Sequence, residues 1–276
     1  MKIEDRQAYA ERGYLILRGL FEPKELQIWR SRLRTLVAEE QARPAGLLVM
    51  RDVMVVKGAV QPRSPEAAIA KVQDYEKDPI LRGYLEHPRL LDLVEVFTGP
   101  DIASIHTMLI NKPPDVDGRH PLHQDLLYFP FRPADRIVAA WTALEPCTRE
   151  NGCLAVVPGS HRGELLPHDN PPWDYVNLAY FGAREVGAHP GRVHLEMAPG
   201  DTVLFHPLLL HGSGRNRSRG YRRAISTHYA STACRYIHDA PRFGGRPYQL
   251  VRGRIDPEGI LGRSAHDPEP PDGRSA

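Results

Sequence analysis

The sequence predicts a mainly β protein in which helices flank an antiparallel double sheet. Two observations support this fold class. The first hundred or so of the 276 residues contain apolar stripes with helical spacing. From about residue 102, short apolar runs alternate instead with Gly, Pro and Asp, which is typical of an antiparallel sandwich or barrel. No linker-like stretch divides the chain, so we predict one domain over 1–276, with helices at about 1–100, a β core at about 101–236 and a polar tail at about 255–276.

Three helices are predicted in the N-terminal third. The first begins near Glu22, because a proline follows it and acidic residues surround that proline. The second begins at Ser64-Pro65, and the third runs over 90–97 and ends at Gly99. The apolar stripe of the first helix consists of residues three or four apart: Leu26, Trp29, Leu33 and Val37.

Short strands are predicted on both sides of residue 100. Two apolar runs, at 47–49 and 53–56, interrupt the helical part. A Pro-Gly-Asp turn at 199–201 joins two of the later strands. The strands of the β core are predicted from the remaining apolar runs, at 102–110, 137–144, 153–157, 193–197, 202–205 and 224–229.

Composition and charge exclude several classes of protein. The 36 Lys and Arg and 34 Asp and Glu give a net charge of +2, whereas nucleic-acid-binding proteins usually carry a basic excess. No run approaches the roughly 18 apolar residues of a membrane span, and neither a signal peptide nor a peroxisomal address is recognisable. The cysteines Cys147, Cys153 and Cys234 are odd in number, which argues against a disulfide framework. We expect a cytoplasmic protein that binds no nucleic acid; its oligomeric state stays open.

A metal-binding hypothesis rests on the tripeptide that begins at His123 and ends at Asp125. Side chains two positions apart in an extended segment point to the same face, so an imidazole and a carboxylate can bind one ion. His211, at a predicted strand end beside small residues, is the best candidate for a third ligand, and His206 is its competitor. Two imidazoles and one carboxylate leave other positions on iron open. The alternative is a surface loop in which His123 and Asp125 share a hydrogen bond.

Arg222 suggests what such a metal would bind. It lies eleven positions after His211, just before a predicted strand. A dicarboxylate that chelates iron with one end needs a cation for its other end, and a planar guanidinium can hold a carboxylate by two parallel hydrogen bonds. The alternative is an ordinary surface arginine, because the same stretch contains four others: Arg215, Arg217, Arg219 and Arg223.

Longer motifs surround these residues. HPLHQDLLYFPFRPAD at 120–135 contains the His-X-Asp tripeptide, and the longest motif runs over 200–214 and continues at 222–231. Further segments lie at 140–145, 151–161 and 192–197. In these motifs the chain resembles the phytanoyl-CoA dioxygenase family, which consists of iron(II)- and 2-oxoglutarate-dependent oxygenases. The resemblance extends over about 14–236 and is densest over 105–231.

This resemblance implies both a fold and a metal centre. The fold would be a double-stranded β-helix, a jelly-roll core of the cupin-like type, with flanking N-terminal helices. Iron(II) would be held by His123, Asp125 and His211, with no catalytic side chain beyond the iron centre. The implied co-substrates are 2-oxoglutarate and O2, with ascorbate as the reductant.

The resemblance also implies five residues around 2-oxoglutarate. Arg222 would bind its distal carboxylate, and Ser213 would form a hydrogen bond in the same region. Trp141 and Met108 would line the pocket, and Lys71 would also reach 2-oxoglutarate. Each has a structural alternative: the apolar core for Trp141 and Met108, a solvated helix for Lys71, and a turn for Ser213.

The implied reaction is hydroxylation at C2 of a 3-methyl-branched fatty acyl-CoA such as phytanoyl-CoA, with release of succinate and CO2. This is a step of fatty acid α-oxidation in lipid metabolism. Two regions depart from the family pattern, since 114–118 is shortened and the likeness fades after about 237. The same chemistry on another small metabolite or a free acid is therefore the first alternative. A non-catalytic jelly-roll binding protein is the second, and a zinc hydrolase, which lacks its usual motif here, is the third.

Overall fold

The helices of the structure lie near the start of the chain. The structure, a computed structural model, describes residues 1–184, 186, 189–237 and 248–262. Within these residues the α-helices are α1 (Ile3–Arg12), α2 (Pro23–Ala38), α3 (Val53–Val56), α4 (Pro79–Leu85) and α5 (Pro88–Thr98). The part of the predicted polar tail beyond residue 262 lies outside the described residues.

The strands are distributed along the whole described chain. They are β1 (Tyr14–Leu17), β2 (Leu48–Arg51), β3 (Ile69–Gln73), β4 (Ile102–Lys112), β5 (His120–His123), β6 (Phe131–Arg132), β7 (Ile137–Ala143), β8 (Leu154–Val156), β9 (His168–Asp169), β10 (Gly182–Ala183), β11 (Val193–Leu195), β12 (Thr202–Phe205), β13 (His211–Ser213), β14 (Arg222–Ser231), β15 (Arg235–Tyr236) and β16 (Gln249–Arg252).

Two antiparallel sheets form the core of the fold. In the larger sheet β1, β12, β7, β14, β4, β3 and β2 are neighbours in that order, and β16 pairs with β4. The smaller sheet has the order β11, β8, β13 and β5. Buried apolar side chains from both sheets belong to one cluster, so the sheets pack face to face. The predicted mainly β architecture with flanking helices is confirmed.

The larger sheet is covered on both faces, which explains its continuous apolar runs. On β7, Val138 and Ala140 pack in the cluster that contains the helices, whereas Ala139 and Trp141 face the smaller sheet. Successive side chains of a strand point to opposite faces. A strand with a core on each side is therefore apolar throughout, and all residues of β7 are buried.

Helix α2 is fixed to the outer face of the larger sheet by its apolar stripe. The backbone N–H of Glu22 donates to Glu25 Oε2 at 2.8 Å, which stabilises the first turn. The predicted stripe is buried, as the helical spacing requires. Within it, the Trp29 ring meets Phe21 and Tyr84 edge-on, with centroid distances of 5.1 and 5.2 Å. This aromatic cluster ties α2 to α4.

The helices and the larger sheet share one hydrophobic cluster, whose members range in sequence from Tyr9 to Tyr229. The third predicted helix is present as α5, and Gly99 follows it with a φ of 84°. No helix among the described residues has the length and the apolar character that crossing a membrane requires. One domain over 1–276 stays a prediction.

Two predictions for the N-terminal third are wrong. The run at 53–56, predicted as a strand, is helix α3, because Asp52 Oδ1 accepts a hydrogen bond from the Met54 backbone N–H at 2.8 Å and so caps a helix. The helix predicted from Ser64 is a single 3-10 turn, Glu66–Ala68, followed directly by β3. Because β3 pairs with both β2 and β4, sheet pairing prevails over the local helix-start pattern.

Candidate metal centre and active site

Three potential metal ligands meet between the two sheets. His123 ends β5 and lies directly opposite His211, the first residue of β13, while Asp125 begins a 3-10 turn after one extended residue. One ligand atom from each of the three lies within 4.8 Å of the others, and all three residues are buried. His123 Nε2 is 3.2 Å from Asp125 Oδ1, and His211 Nε2 is 3.6 Å from Asp125 Oδ2.

The competing histidine lies elsewhere. His206 Nε2 is 3.0 Å from Asp135 Oδ1, and His206 Nδ1 accepts a hydrogen bond from the Leu208 backbone N–H. Both of its ring nitrogens are therefore engaged. Of the two candidates for the third ligand, it is therefore His211 and not His206 that lies beside His123 and Asp125.

Backbone contacts fix the orientation of both ligand imidazoles. His123 Nδ1 lies 2.9 Å from the Pro121 carbonyl oxygen, and His211 Nδ1 lies 2.9 Å from the Leu209 carbonyl oxygen. Because a carbonyl oxygen only accepts, each Nδ1 carries the proton and each Nε2 presents a lone pair to the centre. Burial lowers the pKa of His211 to about 4, so its imidazole is neutral and ready to bind a metal at neutral pH.

A further histidine holds the carboxylate of this group. His228 Nε2 donates to Asp125 Oδ2 at 2.7 Å, and its ring stacks on His106 with centroids 5.5 Å apart. Burial acts to raise the pKa of Asp125, but His211, His228 and the hydrogen bonds outweigh it and keep this pKa well below its usual range. Asp125 is therefore an anion in a site that otherwise contains imidazoles.

Replacing His228 by phenylalanine is expected to weaken metal binding about 10–100-fold, because a hydrogen-bond partner that orients a ligand typically contributes that much. A planar aromatic ring is kept, and the donor to Asp125 is lost. Equilibrium dialysis against Fe(II) without oxygen measures the effect. An unchanged metal affinity would show that His228 does not orient Asp125.

Two adjacent arginines on β14 have opposite surroundings. Arg223 forms ion pairs with Glu66 at 3.1 Å and Glu145 at 2.9 Å. Arg222 points to the other face of the sheet, where it is only 2% exposed, and its Nε and Nη1 have no hydrogen-bond partner among the residues that the structure describes. Its guanidinium carbon lies 5.5 Å from the centroid of the Trp141 ring. A buried guanidinium with unused donors fits an anionic ligand.

Arg222 and the metal-ligand group line one cavity of about 110 Å³, which we call the inner chamber. Trp141, Met108, Ser213 and Lys71 also line it, so the structure brings all five residues predicted for 2-oxoglutarate to one place. Lys71 lies on β3 and is buried, with its Nζ 4.8 Å from the centroid of the Tyr180 ring. The alternative of a solvated helical Lys71 is therefore wrong.

A second cavity, the outer chamber, adjoins the first and has a volume of about 310 Å³. The two share part of their walls, including Met108, His123 and Asp125. The rest of the outer chamber is largely apolar and aromatic, with walls formed by Ile105, Tyr128, Phe129, Phe181 and Tyr248. A substrate in the outer chamber would therefore lie beside the candidate metal centre.

Some of these residues were not predicted from the sequence. Gln73, His106 and His228 were missed, although each lies two positions along a strand from another residue that faces the chambers. His120 was also missed; its Nδ1 lies 3.0 Å from His123 Nδ1. Burial and the neighbouring His123 hold the pKa of His120 well below its usual range, so it is neutral beside the ligands.

Acid is expected to destabilise the metal-free protein progressively below about pH 6.5. Burial lowers the pKa of His206 and, to about 4, that of His211. In the unfolded chain both titrate near 6.5, so on acidification the unfolded state takes up protons that the folded state does not. The free energy of unfolding therefore falls as the pH drops from about 6.5 toward 4. Urea unfolding of chelator-treated protein between pH 7.5 and 4.5 measures this, and a constant or rising free energy would contradict it.

The donor set fits iron(II). Two neutral imidazoles and one carboxylate that leave further positions open are the ligands typical of non-haem iron oxygenases. Arg222, which lines the same chamber and has two unused donor nitrogens toward the described residues, fits the second carboxylate of a chelating dicarboxylate. The fold and the site together define an oxygenase of the iron- and 2-oxoglutarate-dependent class.

Comparison with known proteins places the chain more narrowly. Residues 9–224 match the phytanoyl-CoA dioxygenase family. The chain is 49% identical over 241 residues to the peroxisomal phytanoyl-CoA dioxygenase of Bos taurus, with 86% of this chain and 71% of the relative covered. The chain belongs to the phytanoyl-CoA dioxygenase family.

Solved structures share the fold at low identity. EctD from S. alaskensis in its apoform has a TM-score of 0.69 and 20% identity, over 95% of this chain and 86% of that one. EvdO2 from Micromonospora carbonacea var. aurantiaca, complexed with 2-oxoglutarate, has a TM-score of 0.65 and 22% identity, over 87% and 95%. The predicted double-stranded β-helix is confirmed, and the family confirms the predicted enzyme class.

Proposed function

We propose that this protein is an iron(II)- and 2-oxoglutarate-dependent dioxygenase that hydroxylates C2 of a 3-methyl-branched fatty acyl-CoA such as phytanoyl-CoA. The observation that carries the proposal is the inner chamber. It combines three convergent metal ligands with a buried, unpaired guanidinium, and a non-catalytic binding protein needs no such combination.

Each side chain has a role in this proposal. His123, Asp125 and His211 hold the iron, with His228 orienting Asp125 by its hydrogen bond of 2.7 Å. Arg222 binds the distal carboxylate of 2-oxoglutarate by a charge-assisted pair of hydrogen bonds. When bound, iron and 2-oxoglutarate would activate O2: one oxygen atom would enter succinate, which forms from 2-oxoglutarate with release of CO2, and the other would enter the hydroxyl group of the substrate.

The pocket around the co-substrate restricts its position. Trp141 packs against the Arg222 guanidinium, and Met108, which lines both chambers, separates the co-substrate from the substrate. Ser213 contributes a hydroxyl at the carboxylate end. These residues hold the chelating end of 2-oxoglutarate toward the metal and limit the access of water, which favours productive turnover.

The outer chamber supports the choice of substrate. Its aromatic and aliphatic walls suit a branched hydrocarbon chain, and it adjoins the ligands, so one carbon of that chain can lie next to the metal. The relatives at high identity are named phytanoyl-CoA dioxygenases. The small-molecule substrate is therefore an acyl-CoA in this proposal, while a free branched acid is the second candidate because the chamber contains the cation of Lys71, which could meet its carboxylate.

The proposal is tested by succinate release from protein supplied with Fe(II), ascorbate and 2-oxoglutarate. Phytanoyl-CoA is expected to stimulate release strongly and to yield one 2-hydroxyacyl-CoA per succinate. Phytanic acid without CoA is the matched control and is expected to stimulate much less. Equal stimulation by the free acid would select the second candidate, and no consumption of 2-oxoglutarate by iron-loaded protein would overturn the proposal.

The expected cytoplasmic location also stays a prediction. The bovine relative is named peroxisomal, which describes that protein. Fractionation of cells that contain the native protein would decide between the two compartments.

A further inference from the structure

Two buried residues with cationic side chains lie opposite each other on neighbouring strands in the wall of the inner chamber. In the antiparallel pairing of the two strands, Arg222 on β14 is the register partner of Lys112 on β4. The two residues are 2% and 3% exposed. Like charges directly opposite each other destabilise a pair of strands, and burial removes the water that would screen them. An anion bound beside both cations would offset this cost.

Among the described residues, both hydrogen-bond acceptors of Lys112 are neutral. Its Nζ donates to Ser213 Oγ at 2.8 Å and to the Gly214 carbonyl oxygen at 2.5 Å. Asp117, a carboxylate that acts on Lys112 through space, forms its ion pairs with Arg119 and Arg215 instead. Burial and the neighbouring Arg222 hold the pKa of Lys112 well below its usual range, and an anion bound beside both residues would favour the charged ammonium.

The contact with Ser213 sets the direction of that hydroxyl. A serine oxygen has two lone pairs and one hydrogen. Because Lys112 donates to one lone pair, the hydrogen of Ser213 is left for another acceptor, and both residues line the inner chamber beside Arg222. A chain from ammonium through hydroxyl to carboxylate is polarised along its length, so each bond strengthens the next.

We propose that Lys112 is a positioning residue for the distal carboxylate of 2-oxoglutarate, which turns the Ser213 hydroxyl toward that carboxylate and adds a second positive charge beside Arg222. This rests on the proposed function, since it requires a dicarboxylate in the inner chamber. Lys112 follows Met108 by four positions on β4. Because side chains on a strand alternate with a period of two, both lie on the same face, and both line the inner chamber.

The test compares two 2-oxo acids that differ at one end. 2-Oxoglutarate and 2-oxobutyrate share the chelating group, but 2-oxobutyrate has no distal carboxylate. Each is titrated calorimetrically into Fe(II)-loaded protein without oxygen, for wild type and Lys112→Met. The dissociation constant of 2-oxoglutarate is expected to rise roughly 10- to 100-fold, as for loss of a hydrogen bond to a charged group. The dissociation constant of 2-oxobutyrate is expected to stay within about twofold, since no charged contact to it is lost.

Two further variants complete the test. Lys24→Met, an exposed lysine on α2, controls for the loss of one positive charge and is expected to bind both acids as wild type does. Ser213→Ala is expected to show the same selective loss, and the double variant with Lys112→Met is expected to lose less than the sum, because the two residues act through one contact. If Lys112→Met does not fold, Lys112→Gln replaces it.

The outcomes separate the two proposals. Wild-type protein that binds Fe(II) but not 2-oxoglutarate would overturn the proposed function. Wild-type binding of 2-oxoglutarate together with an unchanged Lys112 variant would overturn the role of Lys112 alone. An equal loss for both acids would also overturn it, because a general structural role weakens both.

Discussion

Replacing Asp125 by alanine is expected to abolish 2-oxoglutarate turnover. The metal affinity of the variant should also fall. The loss should exceed the factor of about 10–100 that is typical when a residue that only orients a ligand is removed. Asp125 provides the carboxylate on which His123, His211 and His228 converge. Without it only the two imidazoles of His123 and His211 remain as ligands, and no ligand anion balances the charge of the metal. Iron content after dialysis and succinate release measure the two effects.

The matched control for this variant is Asp135→Ala. It removes the same group from a residue whose side chain is 91% exposed and which contacts His206 rather than the ligand group. Iron content and turnover are expected to be unchanged. If Asp125→Ala retained iron and turnover at the level of this control, the proposed metal centre would be wrong.

Replacing Arg222 by methionine is expected to weaken 2-oxoglutarate binding by about 2–5 kcal/mol, the usual result of removing one partner of a buried charged pair. The Michaelis constant for 2-oxoglutarate should rise at least about 30-fold, since every 1.4 kcal/mol is tenfold. Metal binding should be kept, because the hydrogen bonds that orient His123, Asp125 and His211 go to Pro121, His228 and Leu209 and not to Arg222. Loss of metal together with the co-substrate would indicate a collapsed site instead.

The same substitution is expected to stabilise the protein when no co-substrate is present. Arg222 is buried with Nε and Nη1 unpartnered, and methionine has no charge to desolvate. Arg223→Met is the matched control, and its expected effect on the free energy of unfolding has the opposite sign. It leaves Glu66 and Glu145 without their buried partner, and so should lower the free energy of unfolding by about 3–5 kcal/mol. Urea unfolding of both variants distinguishes a binding residue from a structural one, and a loss of stability in both would contradict the assignment of Arg222.

Sequence periodicity could have found more of the site than it did. On β4 the period of two runs from His106 through Met108 to Lys112, and all three line a chamber. On β14 the same period leads from Arg222 to His228, which donates to Asp125. Once one residue of a strand is assigned to the site, its neighbours two positions away become candidates because they share its face.

Other features depend on contacts that the sequence does not contain. The helix-start pattern at Ser64 is genuine locally, since its Oγ accepts a hydrogen bond from the Ala67 backbone N–H at 3.2 Å. The chain nonetheless becomes strand β3 because two neighbouring strands pair with it. Likewise, the sequence alone does not distinguish Arg222 from Arg223, because both are arginines at neighbouring positions of one strand. Their difference is created by the glutamates Glu66 and Glu145, which come from distant parts of the chain.

The adjacency of these two arginines has a consequence for insertions and deletions. Strand β14 is paired along its length with β4 on one side and β7 on the other. A shift of one residue, about 3.3 Å along the strand, turns every side chain to the opposite face. A shift that moves Arg222 to the position of Arg223, beside the glutamates, would bring Tyr221 to the position of Arg222 in the chamber, and it would turn Ser226 and His228 away from the site. Length changes should therefore be rejected within β14 and tolerated better in the preceding loop near Arg219, which is exposed, than at the buried Asn216, which donates hydrogen bonds to the carbonyl oxygens of Lys112 and Gly220.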